Sequence, residues 1–165
     1  MPTKPPIPPG RGALSRPPGR FARSVTEAVD DGWGSGADPA DTVPDSIAVS
    51  VLPEHAKSVI TRNDSPDIVF DQSINPYRGC EHACIFCYAR PSHAYVDLSP
   101  GIDFETRLFY KANAARLLEA ELAKPGYVCK PIMLGANTDP YQPVEKRLGV
   151  TRSVLEVLAR ARHPV

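Results

Sequence analysis

Twice in the second half of the chain, apolar residues recur at helical spacing. Ala114, Leu117, Leu118 and Leu122 fall on one face, behind Asn113 as a plausible N-cap, and Pro125-Gly126 stops the run. Val154, Leu155, Leu158 and Ala161 share a second face, which Thr151 can cap and His163-Pro164 ends. Short apolar stretches of strand type lie upstream: Ser46 to Leu52, residues 68–75, an extended run from Phe104 to Tyr110, and Pro131-Ile-Met-Leu-Gly135. Pro53 to Arg62 reads as a helical turn or two, because Pro suits the first helical position. Asn63-Asp-Ser-Pro66 and Asn137-Thr-Asp-Pro-Tyr-Gln-Pro143 read as turn and loop. No internal repeat is present.

After residue 66 the order is strand, loop, helix, strand, loop, helix. This repeated βα rhythm predicts an α/β fold with a parallel sheet. A closed TIM barrel needs about 250 residues, so only about two βα units fit here. The expected architecture is the N-terminal portion of a partial TIM-like barrel, spanning residues 46–165.

Composition separates that body from what precedes it. The 165 residues include 19 prolines, and 11 of these lie in residues 1–66. Residues 1–24 carry five basic side chains and no acid, whereas residues 27–45 carry six acids and no base. With little apolar surface to bury, residues 1–45 are expected to form an irregular or disordered Pro-rich lead. Trp33 is its one large apolar group and a candidate to pin it to the body. Lys+Arg 19 against Asp+Glu 19 leaves no net charge, so no global positive field gathers phosphates. No run of about 18 apolar residues suggests a membrane span, and no apolar signal segment opens the chain. The expected setting is cytoplasmic, where four cysteines read as metal ligands or free thiols rather than disulfides.

Three of those cysteines lie close together. Gly79-Cys80-Glu-His-Ala-Cys84-Ile-Phe-Cys87-Tyr88 has the spacing C-x3-C-x2-C, inside a loop over residues 75–90. A structural zinc wants four ligands, usually in two pairs, and the fourth here could come from His82, His93 or Cys129. A [4Fe–4S] cubane fits by a different logic. Each of its irons takes one thiolate, so three cysteines leave one iron open to a substrate or cofactor. Either reading, or a cluster that only carries electrons, is compatible with the spacing.

The pattern of Cys80, Cys84, Phe86 and Cys87, C-x3-C-x-aromatic-C, resembles the signature of the radical S-adenosylmethionine (SAM) enzymes. The flanks Asn75-Pro-Tyr-Arg-Gly-Cys80 and Leu134-Gly-Ala-Asn-Thr-Asp-Pro-Tyr-Gln-Pro-Val-Glu145 look like the branch related to spore photoproduct lyase. Gly10-Arg-Gly-Ala-Leu and Asp30-Asp-Gly-Trp-Gly34 resemble a bacterial subgroup of that branch, so the resemblance runs from about Gly10 to Val165.

This resemblance implies that Cys80, Cys84 and Cys87 hold a [4Fe–4S] cluster whose fourth iron binds SAM. An electron donor such as flavodoxin or ferredoxin would reduce the cluster, and a 5′-deoxyadenosyl radical would take hydrogen from the substrate. Phe86 and Tyr88 would pack near the cluster or the adenine. Gly135 would allow close approach, and Asn137, Thr138 and Asp139 would take the SAM ammonium, although the same residues also read as a capped turn. His82 is a candidate to tune a cluster sulfur, Arg78 to offset the cluster charge, and His93 and His55 read as surface groups. Branch members continue into further strands that hold ribose and substrate. The chain is therefore expected to be an N-terminal part whose own catalysis is in question; the substrate stays unknown, with nucleic acid suggested by analogy to the family alone.

Overall fold

The computed structural model describes residues 12, 13, 15, 17–21 and 48–165. Its elements run β1 (Ser50–Glu54), β2 (Ile60–Arg62), β3 (Gln72–Ile74), β4 (Tyr77–Arg78), a 3-10 segment (Arg90–Val96), α1 (Asp103–Thr106), β5 (Arg107–Lys111), α2 (Ala114–Leu122), β6 (Ile132–Leu134), α3 (Glu145–Leu148) and α4 (Val150–Arg160). The class is mixed α/β, with two small sheets and several helices. Among the described residues no helix is long and apolar enough to cross a membrane. Trp33 lies outside the described residues.

Two three-stranded sheets form, in the orders β1-β5-β4 and β2-β3-β6. Each contains one parallel and one antiparallel pair: β1 with β5 and β3 with β6 are parallel, while β4 with β5 and β2 with β3 are antiparallel. The parallel β3–β6 pair, with α2 between its strands, realises the βα rhythm of the sequence. The antiparallel partners were not legible in that rhythm, because both are only two or three residues long.

The helix expected after Pro53 is absent. Pro53 instead sits within β1, opposite Tyr110. An edge strand tolerates a missing amide donor, and β1 is an edge strand. The extended stretch expected from Phe104 begins as one helical turn and becomes β5 only at Arg107. Asn113 precedes α2 but makes no side-chain cap. Its amide closes a ring with the backbone of Ala56, accepting from its N–H at 3.2 Å and donating to its carbonyl at 3.0 Å. Helix α4 starts one residue before Thr151, whose hydroxyl donates to the Pro140 carbonyl at 2.6 Å.

The core lies where α2 and α4 pack on each other and on the sheets. Its buried side chains include Val59, Ile74, Leu118, Ile132, Val154 and Leu158. Helix α2 buries Ala114 and Leu118, with Leu117 and Leu122 half-buried against the core, as its spacing predicts. Helix α4 is rotated from expectation: Val157 is buried, and Ala161 is exposed. Its capping carboxylate is Glu145, which accepts the Thr151 and Arg152 amides at 3.0 Å each and also receives the Tyr77 hydroxyl. Leu118→Ala should cost about 2–5 kcal/mol in urea unfolding, because the site is fully enclosed and collapses poorly.

Candidate functional site

The cysteine loop leaves β4 at Gly79, which has φ +77°. A Cβ there would stand 2.7 Å from Leu108 Cδ2 and 2.9 Å from the Phe104 carbonyl oxygen, so this entry to the loop is open only to glycine. Cys80 then donates its amide to the Phe104 carbonyl at 3.0 Å. Ala83 has φ +56°, a turn in the left-handed region between the first two cysteines.

The three thiols meet different surroundings. Cys80 is buried beside Ala89 and Phe104, and Cys87 packs against the same group half-buried. Cys84 is exposed. Burial pushes the Cys80 thiol above its ordinary pKa, while the backbone N–H groups of His82 and Asp139 pull it down, and the charges of Asp139 and Cys87 raise it. Cys80, Cys87 and Asp139 are thus electrostatic neighbours. Around the thiols, Phe86, Tyr88 and Ile85 are 86%, 76% and 73% exposed, a patch of large apolar side chains on one loop.

The loop after β6 is stitched to the cysteine loop along its length. Gln142 is fully buried; its amide donates to the Gly79 carbonyl at 3.2 Å and accepts from the Glu81 amide at 3.2 Å. Glu81 in turn accepts the Val144 amide at 2.9 Å. The Thr138 hydroxyl donates to the Tyr77 carbonyl at 2.8 Å, and the Asn137 amide donates to Asn75 Oδ1 at 2.7 Å. Tyr88 donates its hydroxyl to the Ala136 carbonyl. His82 Nε2 stands 3.0 Å from Asp139 Oδ2.

Asn137, Thr138 and Asp139 therefore border residues 75–90, but their side chains differ in freedom. Thr138 is buried and committed to Tyr77. Asp139 Oδ1 accepts the Tyr141 amide at 2.7 Å, the Asx turn that its composition also suggested. Gly135 has φ +75° and donates its amide to the Ile74 carbonyl at 2.9 Å, which ties the loop to the sheet end.

Other candidates are placed elsewhere. His93 is not a surface group: it is fully buried behind Gly79, with Nε2 2.9 Å from the Arg107 carbonyl and its ring edge-on to Phe104. Arg78 pairs with Glu54 at 3.1 Å. Cys129 is exposed between α2 and β6. Among the described residues no three His, Cys, Asp or Glu side chains converge as ligands of a single metal ion. A cubane takes one thiolate per iron and so calls for ligands spread over a larger object. A loop with one buried thiol, one half-buried and one exposed is chemically suited to that spread.

Sequence reasoning missed Gln142, Glu81, Arg90 and Glu105. Gln142 and Glu81 carried only turn and loop signals. Their importance lies in partners roughly sixty residues away, which no local pattern displays.

The chain is 43% identical over 96 residues to proteins described as uncharacterized, among them Rv2578c of Mycobacterium tuberculosis and Mb2609c of Mycobacterium bovis. The matched stretch is 58% of this chain and 28% of each relative, so the chain spans under a third of the relatives it matches. No family model matches the chain, and no solved structure does.

Two outcomes follow from this geometry. Gln142→Ala should cost about 1–3 kcal/mol, because it strands a buried carbonyl and amide, and should speed amide exchange at Glu81. Desolvation holds the His93 imidazole below its ordinary pKa, against the Arg107 carbonyl and Asp103, which favour the charged ring. The unfolded chain therefore binds the extra proton more readily. Stability is full above the unfolded imidazole pKa of about 6.5 and declines as pH falls below it. Urea midpoints measured across that range should fall in the parent and flatten in His93→Gln.

Proposed function

We propose that this chain carries the cluster-binding part of a radical SAM enzyme related to the spore photoproduct lyase branch. The observation that supports it best is the meeting of the C-x3-C-x-aromatic-C loop with residues 135–142, through hydrogen bonds that run from Asn75 to Glu81. In this reading Cys80, Cys84 and Cys87 hold a [4Fe–4S] cluster, with Cys80 as the rear, desolvated ligand. When bound, the reduced cluster supplies an electron that splits SAM between sulfur and the ribose carbon.

The protein's own part is placement. Amides of His82 and Asp139 lower the energy of thiolate at Cys80. Asn137 and Asp139 offer side-chain oxygens toward an ammonium beside the loop, and Thr138 anchors them to β4. Phe86 and Tyr88, exposed on the same loop, would pack near the cluster or the adenine. In this reading β3 and β6, parallel with α2 between them in sequence, would be opening strands of a partial TIM-like barrel, and the relatives are long enough to hold further strands. Substrate chemistry would belong to those strands.

Anaerobic reconstitution with iron and sulfide tests this directly. The expected result is a brown protein with about four irons per chain. A colourless protein that retains zinc instead would overturn the reading. Cys84→Ala should abolish cluster retention. With SAM and dithionite, 5′-deoxyadenosine is expected from a chain that includes the remaining strands. A cluster-loaded protein of that length that forms none would be an electron carrier.

A further inference from the structure

We propose that Arg90 and Glu105 are a positioning pair that holds Cys84 in its ligating place and clamps the N-terminal segment onto the cysteine loop. The inference rests on the cluster reading above. Arg90 opens the 3-10 segment just after the loop. Its Nε and Nη2 both donate to the Cys84 carbonyl, at 3.0 and 2.9 Å. Its Nη1 donates to the Gly101 carbonyl at 3.1 Å and reaches Pro100 at 3.4 Å. Its guanidinium carbon lies 5.4 Å from the centre of the Phe104 ring, the same ring that packs on Cys80.

Glu105 completes the arrangement. It is fully buried and forms an ion pair with Arg90. Burying that carboxylate is costly, so the pairing with arginine is a requirement of the fold as well as a link to the loop. The planar guanidinium fork can serve carboxylate and carbonyl at once, which a lysine ammonium on its flexible stem does not reproduce. Cys84 needs such a device. It is exposed, and its sulfur lies 4.0 Å from the His82 carbonyl, too far to fix it.

The other oxygen of Glu105 accepts the Gly12 amide at 3.3 Å. Gly12 approaches so closely that a Cβ would run into the Ala83 carbonyl oxygen and come within 2.8 Å of Ile85 Cγ2. Further along, the Ile102 amide donates to Ser15 at 3.1 Å, the Ser99 hydroxyl donates to Pro17 at 2.6 Å, and Phe21 lies against Tyr95. One buried carboxylate thus connects the segment, through Arg90, to the backbone of the exposed cysteine.

Arg90→Lys, Glu105→Gln and Gly12→Val in the full chain test the pair, with two readouts. In the metal-free protein, amide exchange over residues 83–87 should rise in all three variants, and by more than exchange at Leu118 and Val154, which follows global stability. Gly12→Val keeps the buried pair and displaces only the segment, so it remains informative if Glu105→Gln fails to fold. After anaerobic reconstitution, Arg90→Lys and Glu105→Gln should lose iron to a chelator about 10-fold faster than the parent. Leu118→Ala, which weakens the core without touching the loop, should lose iron at the parent rate, so faster loss in the pair variants reports the loop and not general destabilisation. Wild-type exchange at 83–87, or iron loss at the parent rate, would overturn the positioning role. Wild-type exchange at 83–87 in Gly12→Val would overturn the clamp. A parent that takes up no iron, with exchange still raised in the variants, would sink the cluster reading and leave the pair as the holder of the loop.

Discussion

A primary amide and a carboxylate buried away from bulk solvent must each find partners inside the protein, and the candidate site is organised around that requirement. Gln142 and Glu105 are both fully enclosed. Gln142 ties the loop after β6 to the backbone on either side of Cys80. Glu105 ties the far side of the cysteine loop to Arg90. Leaving either group unpaired would cost on the order of 1–3 kcal/mol or more, a large share of a small domain's stability. The loop's shape is therefore enforced from both flanks by groups that cannot let go cheaply.

The sheets set where those flanks stand. Parallel pairing of β3 with β6 brings Ile74 opposite Leu134, so the segments that follow each strand emerge at the same sheet end. The cysteine loop follows one and residues 135–144 follow the other. Helices α2 and α4 pack beneath, and Glu145 caps α4 while receiving the Tyr77 hydroxyl from β4. The core and the candidate site thus share a boundary: Tyr77 is a core residue three positions before Cys80.

Much of this was legible locally. Leu118 and Leu122 were placed by helical spacing, Ile132 to Leu134 by a short apolar run, and the cysteine loop by its spacing. Local reasoning failed where a residue's role depends on a distant partner. Pro53 suited a helix start by its fixed φ, yet an edge position beside β5 accommodates it in a strand. His93 read as a surface group, yet Gly79 and Phe104 enclose it. Glu105 lay inside the run read as extended, and nothing local marked it as buried.

By itself, the sequence determined the spacing of the cysteines and the two apolar-periodic helices α2 and α4, because thiol spacing and apolar periodicity act over a few residues. The tertiary structure decided that residues 135–144 border the cysteine loop, that Gln142 and Arg90 grip it from opposite sides, and that the segment at Gly12 joins it. These depend on burial, which makes hydrogen bonds between distant segments obligatory, and burial exists only once the strands have paired and the helices have packed.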